Sequence, residues 1–271
     1  MPPWILPALF ASAVAIGVTV AIERMGGKKG GLIGSLPTTI IPASVGLYSA
    51  SPTIPDFQGA LFITPIGMLL NSLFLFVWRL VPPRLPSWPS TVRLLTTLTV
   101  ALVGWGMLAA LFVSLGRALE GGLGLASFTV MGVSAATGIW ACHRNPPSPK
   151  QRRRVGPITL VARGALAGLA IGLSVWLGTK GTPLIAGLAA VFPAIYMTTM
   201  VSLWLSHGEA VGAGAIGPMM LGGTSVSMFA WVAAWTIPAV GAMVGCLAAW
   251  LAAVSFVTVP AWRWLNPSPA R

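Results

Sequence analysis

The chain has 271 residues, of which 56% are hydrophobic and only 7% are charged, and its mean hydropathy is +0.86. Soluble domains carry roughly a quarter of their residues as Asp, Glu, Lys and Arg, so a water-soluble fold is excluded and the bilayer must be the solvent. The formal net charge of +12 would suit a nucleic-acid partner. The alternative is that the basic residues lie in the loops on one side of the membrane and set the orientation of the spans.

Several segments are long and apolar enough to cross a bilayer, because a spanning helix needs about 20 mostly apolar residues. We place about nine spans, in chain order, at roughly 4–22, 31–49, 57–80, 94–116, 123–142, 158–178, 183–205, 210–233 and 236–262. The sequence therefore predicts an all-α, polytopic membrane protein with about nine transmembrane helices.

The basic residues predict how these spans are oriented. The first apolar run has no basic residue before it and is followed by Arg24, Lys28 and Lys29. Nine alternating crossings put every Lys and Arg except Arg117 and Lys180 on or near one side, and the side whose short loops are rich in Lys and Arg is cytoplasmic. We expect a multi-pass protein of the bacterial inner (plasma) membrane, with its N-terminus outside, its C-terminus in the cytoplasm and no nucleic-acid partner.

One basic cluster follows the fifth predicted span. It contains Lys150, Arg152, Arg153 and Arg154. Clusters of this kind beside a spanning helix attract anionic lipid headgroups. Anionic lipid at these four residues is therefore an expected partner in addition to the bilayer itself.

The second and seventh predicted spans open on related sequences. Each begins Lys-Gly, continues with Leu-Ile, two small residues and Leu, and reaches a proline thirteen residues after the lysine. The lysines are Lys29 and Lys180, and the prolines are Pro42 and Pro193. This internal repeat predicts two four-span units.

The repeat divides the chain into three predicted regions. Spans 1 to 4 form a first membrane repeat at 1–120, a connector span and basic loop occupy 121–157, and spans 6 to 9 form a second repeat at 158–271. A single connector span makes the second unit enter the membrane from the opposite side. We therefore expect two inverted four-helix repeats, an architecture found in many secondary transporters.

The second repeat carries a family resemblance. Its sequence runs from Ala186-Gly187-Leu188 through Phe192-Pro193 to Ser206-His207-Gly208. This pattern resembles the GlpM-type small bacterial membrane proteins, and it covers mainly spans 7 and 8 with a diluted copy in spans 2 and 3. The resemblance implies a duplicated and fused four-span unit and little about chemistry.

The two prolines mark the candidate site. Pro42 and Pro193 fall near the middle of spans 2 and 7, where a proline leaves the carbonyl four residues earlier without its usual donor. Lipid tolerates such groups only where other helices, side chains or an aqueous cavity satisfy them. We predict substrate-binding residues at Thr38, Thr39, Pro42, Ser44, Asn71, Pro193, Tyr196 and Thr198. Kinked helices packed through small residues, with Asn71 in an interhelical hydrogen bond, are the alternative.

Two lysines are candidates for entrance charges. Lys29 and Lys180 hold matching repeat positions on opposite predicted faces, each at the N-terminus of a helix whose dipole favours anions. Two positive entrances would suit an anionic substrate. Lysines that reach toward the headgroups are the alternative.

Acidic residues argue against cation transport and catalysis. Glu23, Asp56, Glu120 and Glu209 all map to span ends, whereas proton and sodium relays use carboxylates inside the membrane. No His, Cys or carboxylate cluster has metal-ligand spacing, and no nucleophile is paired with a base. We expect no enzyme activity, catalytic residue, metal or cofactor.

These observations predict a small secondary transporter or facilitator that moves a small anionic or neutral solute, or a lipid headgroup, by alternating access. The alternatives are a membrane interaction or accessory protein that transports nothing, and a channel. The identity of the substrate and the oligomeric state stay open.

Overall fold

A computed structural model of the chain describes residues 2–25, 36–116, 122–144 and 156–265, which form helices joined by short turns, with no strand among them. The α-helices are α1 (Ile5–Met25), α2 (Ile40–Ala50), α3 (Ile54–Phe62), α4 (Thr64–Leu80), α5 (Ser90–Gly116), α6 (Leu123–His143), α7 (Pro157–Gly178), α8 (Pro183–Ala190), α9 (Ala194–His207), α10 (Glu209–Val240), α11 (Ala242–Ala253) and α12 (Val259–Leu265). A 3₁₀ turn at Pro82–Arg84 follows α4, and a π-helical turn at Val254–Thr258 joins α11 to α12.

Within the described part of the chain, seven helical segments are long and apolar enough to cross a membrane, and the protein is a helical, multi-pass membrane protein. They are Ile54–Arg84, Ser90–Leu115, Leu123–His143, Pro157–Gly178, Pro183–Leu205, Gly212–Val240 and Ala242–Leu265. Two shorter apolar helical segments, Ile5–Gly17 and Ile40–Ala50, coincide with the first two predicted spans.

The boundary between the last two segments differs from the prediction. We expected a turn near residue 235, but α10 continues through Pro238 to Val240. The chain turns at Gly241, whose φ of +83° is readily accessible only to glycine. The Thr236 hydroxyl, which donates to the carbonyl of Gly245 at 2.9 Å, fastens α10 to α11 beyond that turn.

Helices α1 and α7 form a close antiparallel pair. Gly164 of α7 lies against Ile16, and Gly172, two turns later, lies against Ala8. Between them, Gly168 touches Ser12. Glycines four residues apart let two helix backbones approach closely, which is how membrane helices commonly associate.

Helices α4 and α10 form the centre of the bundle, and α3 continues α4 along the same line. Gln58 of α3 donates to the Ala234 carbonyl at 3.2 Å, and Arg79 of α4 donates to the Ala213 carbonyl at 3.3 Å. The later residue, Arg79, contacts the earlier residue of α10, so α10 runs antiparallel to α3 and α4. By contrast, α5 is largely exposed.

Candidate functional site

The seventh predicted span is broken near its middle. Helix α8 ends at Ala190 and α9 begins at Ala194, with Pro193 at the N-cap. Proline has no N–H to offer the carbonyl of Ala189, and that carbonyl accepts the Phe192 N–H instead at 3.2 Å. Pro193 therefore lies at a genuine helix interruption, and the freed carbonyl has found a local donor.

Asn71 ties this break to two other helices. Its side-chain amide, only 3% exposed, donates to the Val191 carbonyl at 2.8 Å. Its carbonyl oxygen accepts the indole N–H of Trp105 at 2.8 Å. The Trp105 ring also meets the ring of Phe192 edge-on, with centroids 5.4 Å apart. Asn71 of α4 thus makes the interhelical hydrogen bond that was the alternative to a substrate contact.

The second predicted span begins differently. Residues 36–39 form a turn, and α2 starts at Ile40 with Thr39 as its N-cap. Pro42 therefore lies in the first turn of α2, where a missing N–H breaks no helical hydrogen bond. The expectation of a helix-interior proline at this position is wrong for the described residues.

A small cavity of about 70 Å³ lies between the start of α2 and the break before α9. Helices α4, α7 and α10 complete its wall. Its lining residues are Leu36, Thr39, Ile40, Met68, Asn71, Ala167, Ala170, Ile171, Ala190, Val191, Phe192, Ala194, Ile195, Tyr196 and Val226. Three predicted site residues, Thr39, Asn71 and Tyr196, are therefore brought together from three different helices.

The first turns of α2 and α9 both face this cavity. Thr39 and Ile40 line it from α2, and Ala194, Ile195 and Tyr196 line it from α9. Neither N-cap residue, Thr39 or Pro193, makes a side-chain capping hydrogen bond. Two helix N-termini that carry partial positive charge therefore meet at one small space.

The two helices leave the cavity in opposite directions. Leu47 at the far end of α2 lies against Gly178 at the far end of α7, so α2 runs in the same direction as α7. The Ser174 hydroxyl of α7 donates to the Ala186 carbonyl at 2.8 Å, while Ala167 and Ala194 meet at the cavity, so α8 and α9 run against α7.

The other predicted site residues do not line the cavity. The Thr38 hydroxyl donates within its own turn to Leu36 at 3.4 Å. The hydroxyls of Ser44 and Thr198 donate to carbonyls of their own helices, those of Ile40 at 2.9 Å and Ala194 at 2.8 Å. Pro42 and Pro193 are buried beside it and shape the backbone rather than the surface of the cavity.

Among the lysines and arginines predicted to serve as entrance charges or lipid contacts, Lys180 lies in the part of the chain that the structure describes. Its ammonium group lies 5.7 Å from the centre of the Trp176 ring, an exposed cation–π contact. Lys29 lies outside the described residues, as do Lys150, Arg152, Arg153 and Arg154.

A second, wider cavity of about 720 Å³ opens at the end of the bundle that holds Lys180. The starts of α3, α6 and α8 line it, with Asp56, Gln58 and Thr182 as polar members. Between the two cavities, Gly187 of α8 lies directly against the carbonyl oxygen of Ala60 and the side chain of Ile63. Helix α8 therefore separates the wide cavity from the small one.

Most of the residues that line the cavity were not predicted from the sequence, and two of the residues at the site show why. Met68 lines the cavity, and Trp105 holds Asn71. Trp105 falls near the middle of its predicted span, away from the interfaces where tryptophans usually lie, and that position was the available signal. Met68 carries no such signal, because an apolar residue in an apolar span is unremarkable.

Comparison with protein-family models, curated proteins and solved structures finds no match to this chain.

Proposed function

We propose that the chain is a small secondary transporter or facilitator that moves a small anionic or neutral solute by alternating access. The observation that carries this proposal is the cavity where the first turns of α2 and α9 meet, lined by Thr39, Asn71 and Tyr196. Transporters commonly bind their substrates where spanning helices are interrupted. The volume of about 70 Å³ favours a small solute over a lipid headgroup.

The directions of the helices support two inverted repeats within a nine-span topology. Inversion requires that matching spans run antiparallel. The predicted first and sixth spans, α1 and α7, do so, as Gly164 and Gly172 show by their contacts with Ile16 and Ala8. The third predicted span, formed by α3 and α4, also runs antiparallel to the eighth, which is α10. The predicted topology gives the same directions, with the N-terminus outside the inner membrane.

Helix α8 is the element we propose to move. It has only eight residues, so it is about 12 Å long and lies between the wide cavity and the small one. The carbonyl of Val191 at its end is held by the Asn71 amide. Release of that hydrogen bond and of the contact between Gly187 and Ala60 would join the two cavities and open the site to the side of Lys180.

An accessory role without transport is the second candidate, and two observations favour it. Asn71 is satisfied by Val191 and Trp105, and α1 packs against α7 along a glycine stripe without a gap. A membrane scaffold would show the same features. The two candidates differ in whether purified protein alone moves a solute.

The test is flux into proteoliposomes, guided by a screen for solutes that raise the thermal stability of the purified protein. Pro193→Ala restores an N–H at the break and should lower flux at least tenfold by letting α8 continue into α9. Pro42→Ala is the matched control, because Pro42 lies in the first turn of α2, and it should retain flux. Equal flux in both variants would remove the break from the mechanism, and no flux of any screened solute by the wild-type protein would favour the accessory role.

A further inference from the structure

We infer that the small cavity binds a monovalent inorganic or one-carbon anion, held by the first turns of α2 and α9 and by the Tyr196 hydroxyl. This inference rests on the proposed function and names the class of solute. The charge, the hydrogen-bonding capacity and the size of the cavity each point to this class.

The first turns of α2 and α9 bring backbone N–H groups to the cavity. The first N–H groups of a helix have no partner within the helix. In α2 and α9 no side chain caps them from Thr39 or Pro193. The backbone of Ile40, Ile195 and Tyr196 therefore offers donors at the cavity wall.

Hydrogen-bond acceptors at the break are already occupied. The carbonyl of Val191 accepts from Asn71, that of Ala189 from the Phe192 N–H, and that of Phe192 from the Ala194 N–H at 2.7 Å. No Asp or Glu lines the cavity within the described part of the chain. A cation would find few free oxygens here, whereas an anion would find free N–H groups.

The Tyr196 hydroxyl is a second and independent sign of a ligand. Tyr196 is 9% exposed and lines the cavity. Among the described residues, no group hydrogen-bonds to its hydroxyl, although buried tyrosine hydroxyls usually have a partner. A Cβ added at Gly223 would lie 3.3 Å from the hydroxyl oxygen, so the hydroxyl lies beside α10. A bound anion would accept that hydrogen bond.

The charge at the site favours no more than one negative charge. Each helix N-terminus acts as about half a positive charge, whereas the C-terminus of α8, whose Ala190 also lines the cavity, acts as about half a negative one, so the net positive charge is less than one. Among the residues that the structure describes, no Lys, Arg or His lines the cavity to balance a second charge, and an uncompensated charge is costly in a low-dielectric interior. The cavity of about 70 Å³ is also far smaller than the roughly 300–1,000 Å³ of pockets for drug-sized ligands. Only an ion of a few heavy atoms fits.

The first experiment measures the thermal unfolding midpoint of detergent-solubilised protein in sodium salts at constant ionic strength. Chloride, nitrate and formate are the probes, sulfate tests charge, and gluconate tests size. We expect a saturable rise in the midpoint with at least one of the three probes and none with sulfate or gluconate. A rise that does not saturate, or one that follows sulfate and gluconate equally, would overturn the inference.

Tyr196→Phe removes the hydroxyl and keeps the ring. A hydrogen bond to a charged group is worth about tenfold or more in affinity, so the apparent dissociation constant of the stabilising anion should rise by at least that factor. The chain has two tyrosines, and Tyr48→Phe is the matched control, because Tyr48 packs against Phe57 outside the cavity. Equal affinities in the two variants would contradict the role of Tyr196.

Thr39→Asp places a carboxylate at the N-cap of α2, beside the cavity. This tethered anion should abolish stabilisation by added anion. Stabilisation by added anion that matches the wild type would contradict an electrostatic site at this helix start. The measurement needs no transport assay and remains readable if the variant is moderately destabilised.

Flux separates this inference from the proposed function. Anion binding lost in Tyr196→Phe, without flux in proteoliposomes, would keep the site and overturn transport. Saturable flux of a neutral probe such as glycerol or urea, with no anion binding or flux, would keep transport and overturn the anion.

Discussion

Helix α7 has two faces built from small residues, and they do opposite things. On one face, Gly164, Gly168 and Gly172 lie in direct contact with α1. On the other, Ala167 and Ala170 line the small cavity. The same helix, with residues of similar size, therefore gives close packing on one side and open space on the other.

The difference lies in the partners of the two faces. Helix α1 is continuous from Ile5 to Met25, so its regular surface can fit into the groove that the glycines leave. Across the other face, the chain is interrupted between α8 and α9 and turns at 36–39 before α2. An interrupted helix does not present a regular surface that can fill the groove on α7. The small residues of α7 that face such a break therefore leave a cavity. Small residues alone therefore do not distinguish a packing face from a binding face.

Filling the glycine face should have the largest effect. A Cβ at Gly168 would collide with Ser12 Oγ and lie 3.0 Å from the Ala8 carbonyl oxygen, so Gly168→Leu should destabilise the protein by about 3 kcal/mol, the upper end of the overpacking range. Gly132→Leu on α6 is the matched control, because no atom lies within 4 Å of its added Cβ. Unfolding in mixed micelles measures both, and equal stabilities would mean that α1 and α7 do not pack as described.

Removing the polar tie at the break should have the next largest effect. Asn71→Leu leaves the Val191 carbonyl and the Trp105 N–H without their partner, at a cost of about 2 kcal/mol.

A double-mutant cycle with Trp105→Phe isolates the hydrogen bond between the two side chains. The losses of unfolding free energy should be less than additive. Asn71→Leu already leaves the indole N–H of Trp105 without its acceptor, so removing that N–H by Trp105→Phe costs less in the double variant. Strictly additive losses would show that Trp105 and Asn71 act independently.

Filling the cavity face should cost little stability and should remove binding. The side-chain atoms that Ala170→Leu adds lie at the wall of the cavity. The free energy of unfolding should therefore stay within about 1 kcal/mol of the wild-type value, whereas Gly168→Leu should lower it much more. Stabilisation by the bound anion and flux should both be lost. Retained anion binding in this variant would place the ligand elsewhere.

Composition alone predicted the helical membrane architecture, because 7% charged residues leave no alternative to lipid as solvent. Apolar run length located the helices from Ile54–Phe62 onward to within a few residues, except at the turn between α10 and α11. That turn depends on Gly241, and in a sequence with 32 glycines nothing distinguishes the few that adopt positive φ. Nine spans and inverted repeats remain predictions.

The site was predictable in part from the prolines and unpredictable where tertiary packing determines the backbone. Pro193 lies at the break in its span, where it has no N–H to continue the helix, but α10 continues through Pro218 and Pro238, so proline alone does not determine a break. The same argument failed at Pro42, because the start of a helix depends on how the preceding turn packs, and a proline in the first turn is harmless. The rotation of each helix about its axis determines which hydroxyls face the cavity. In a span that is apolar on all sides, the spacing of the residues gives little information about that rotation.

Removing a predicted site hydroxyl that bonds within its own helix should have the smallest effect. Ser44 is fully buried, yet its hydroxyl donates to the carbonyl of Ile40, one turn earlier. That carbonyl can also accept the backbone N–H of the same residue, so Ser44→Ala orphans no group and should change stability by less than about 0.5 kcal/mol. Anion affinity and flux should match the wild type, in contrast to Tyr196→Phe. A loss of binding in Ser44→Ala would mean that α2 rotates during transport and brings this hydroxyl to the substrate.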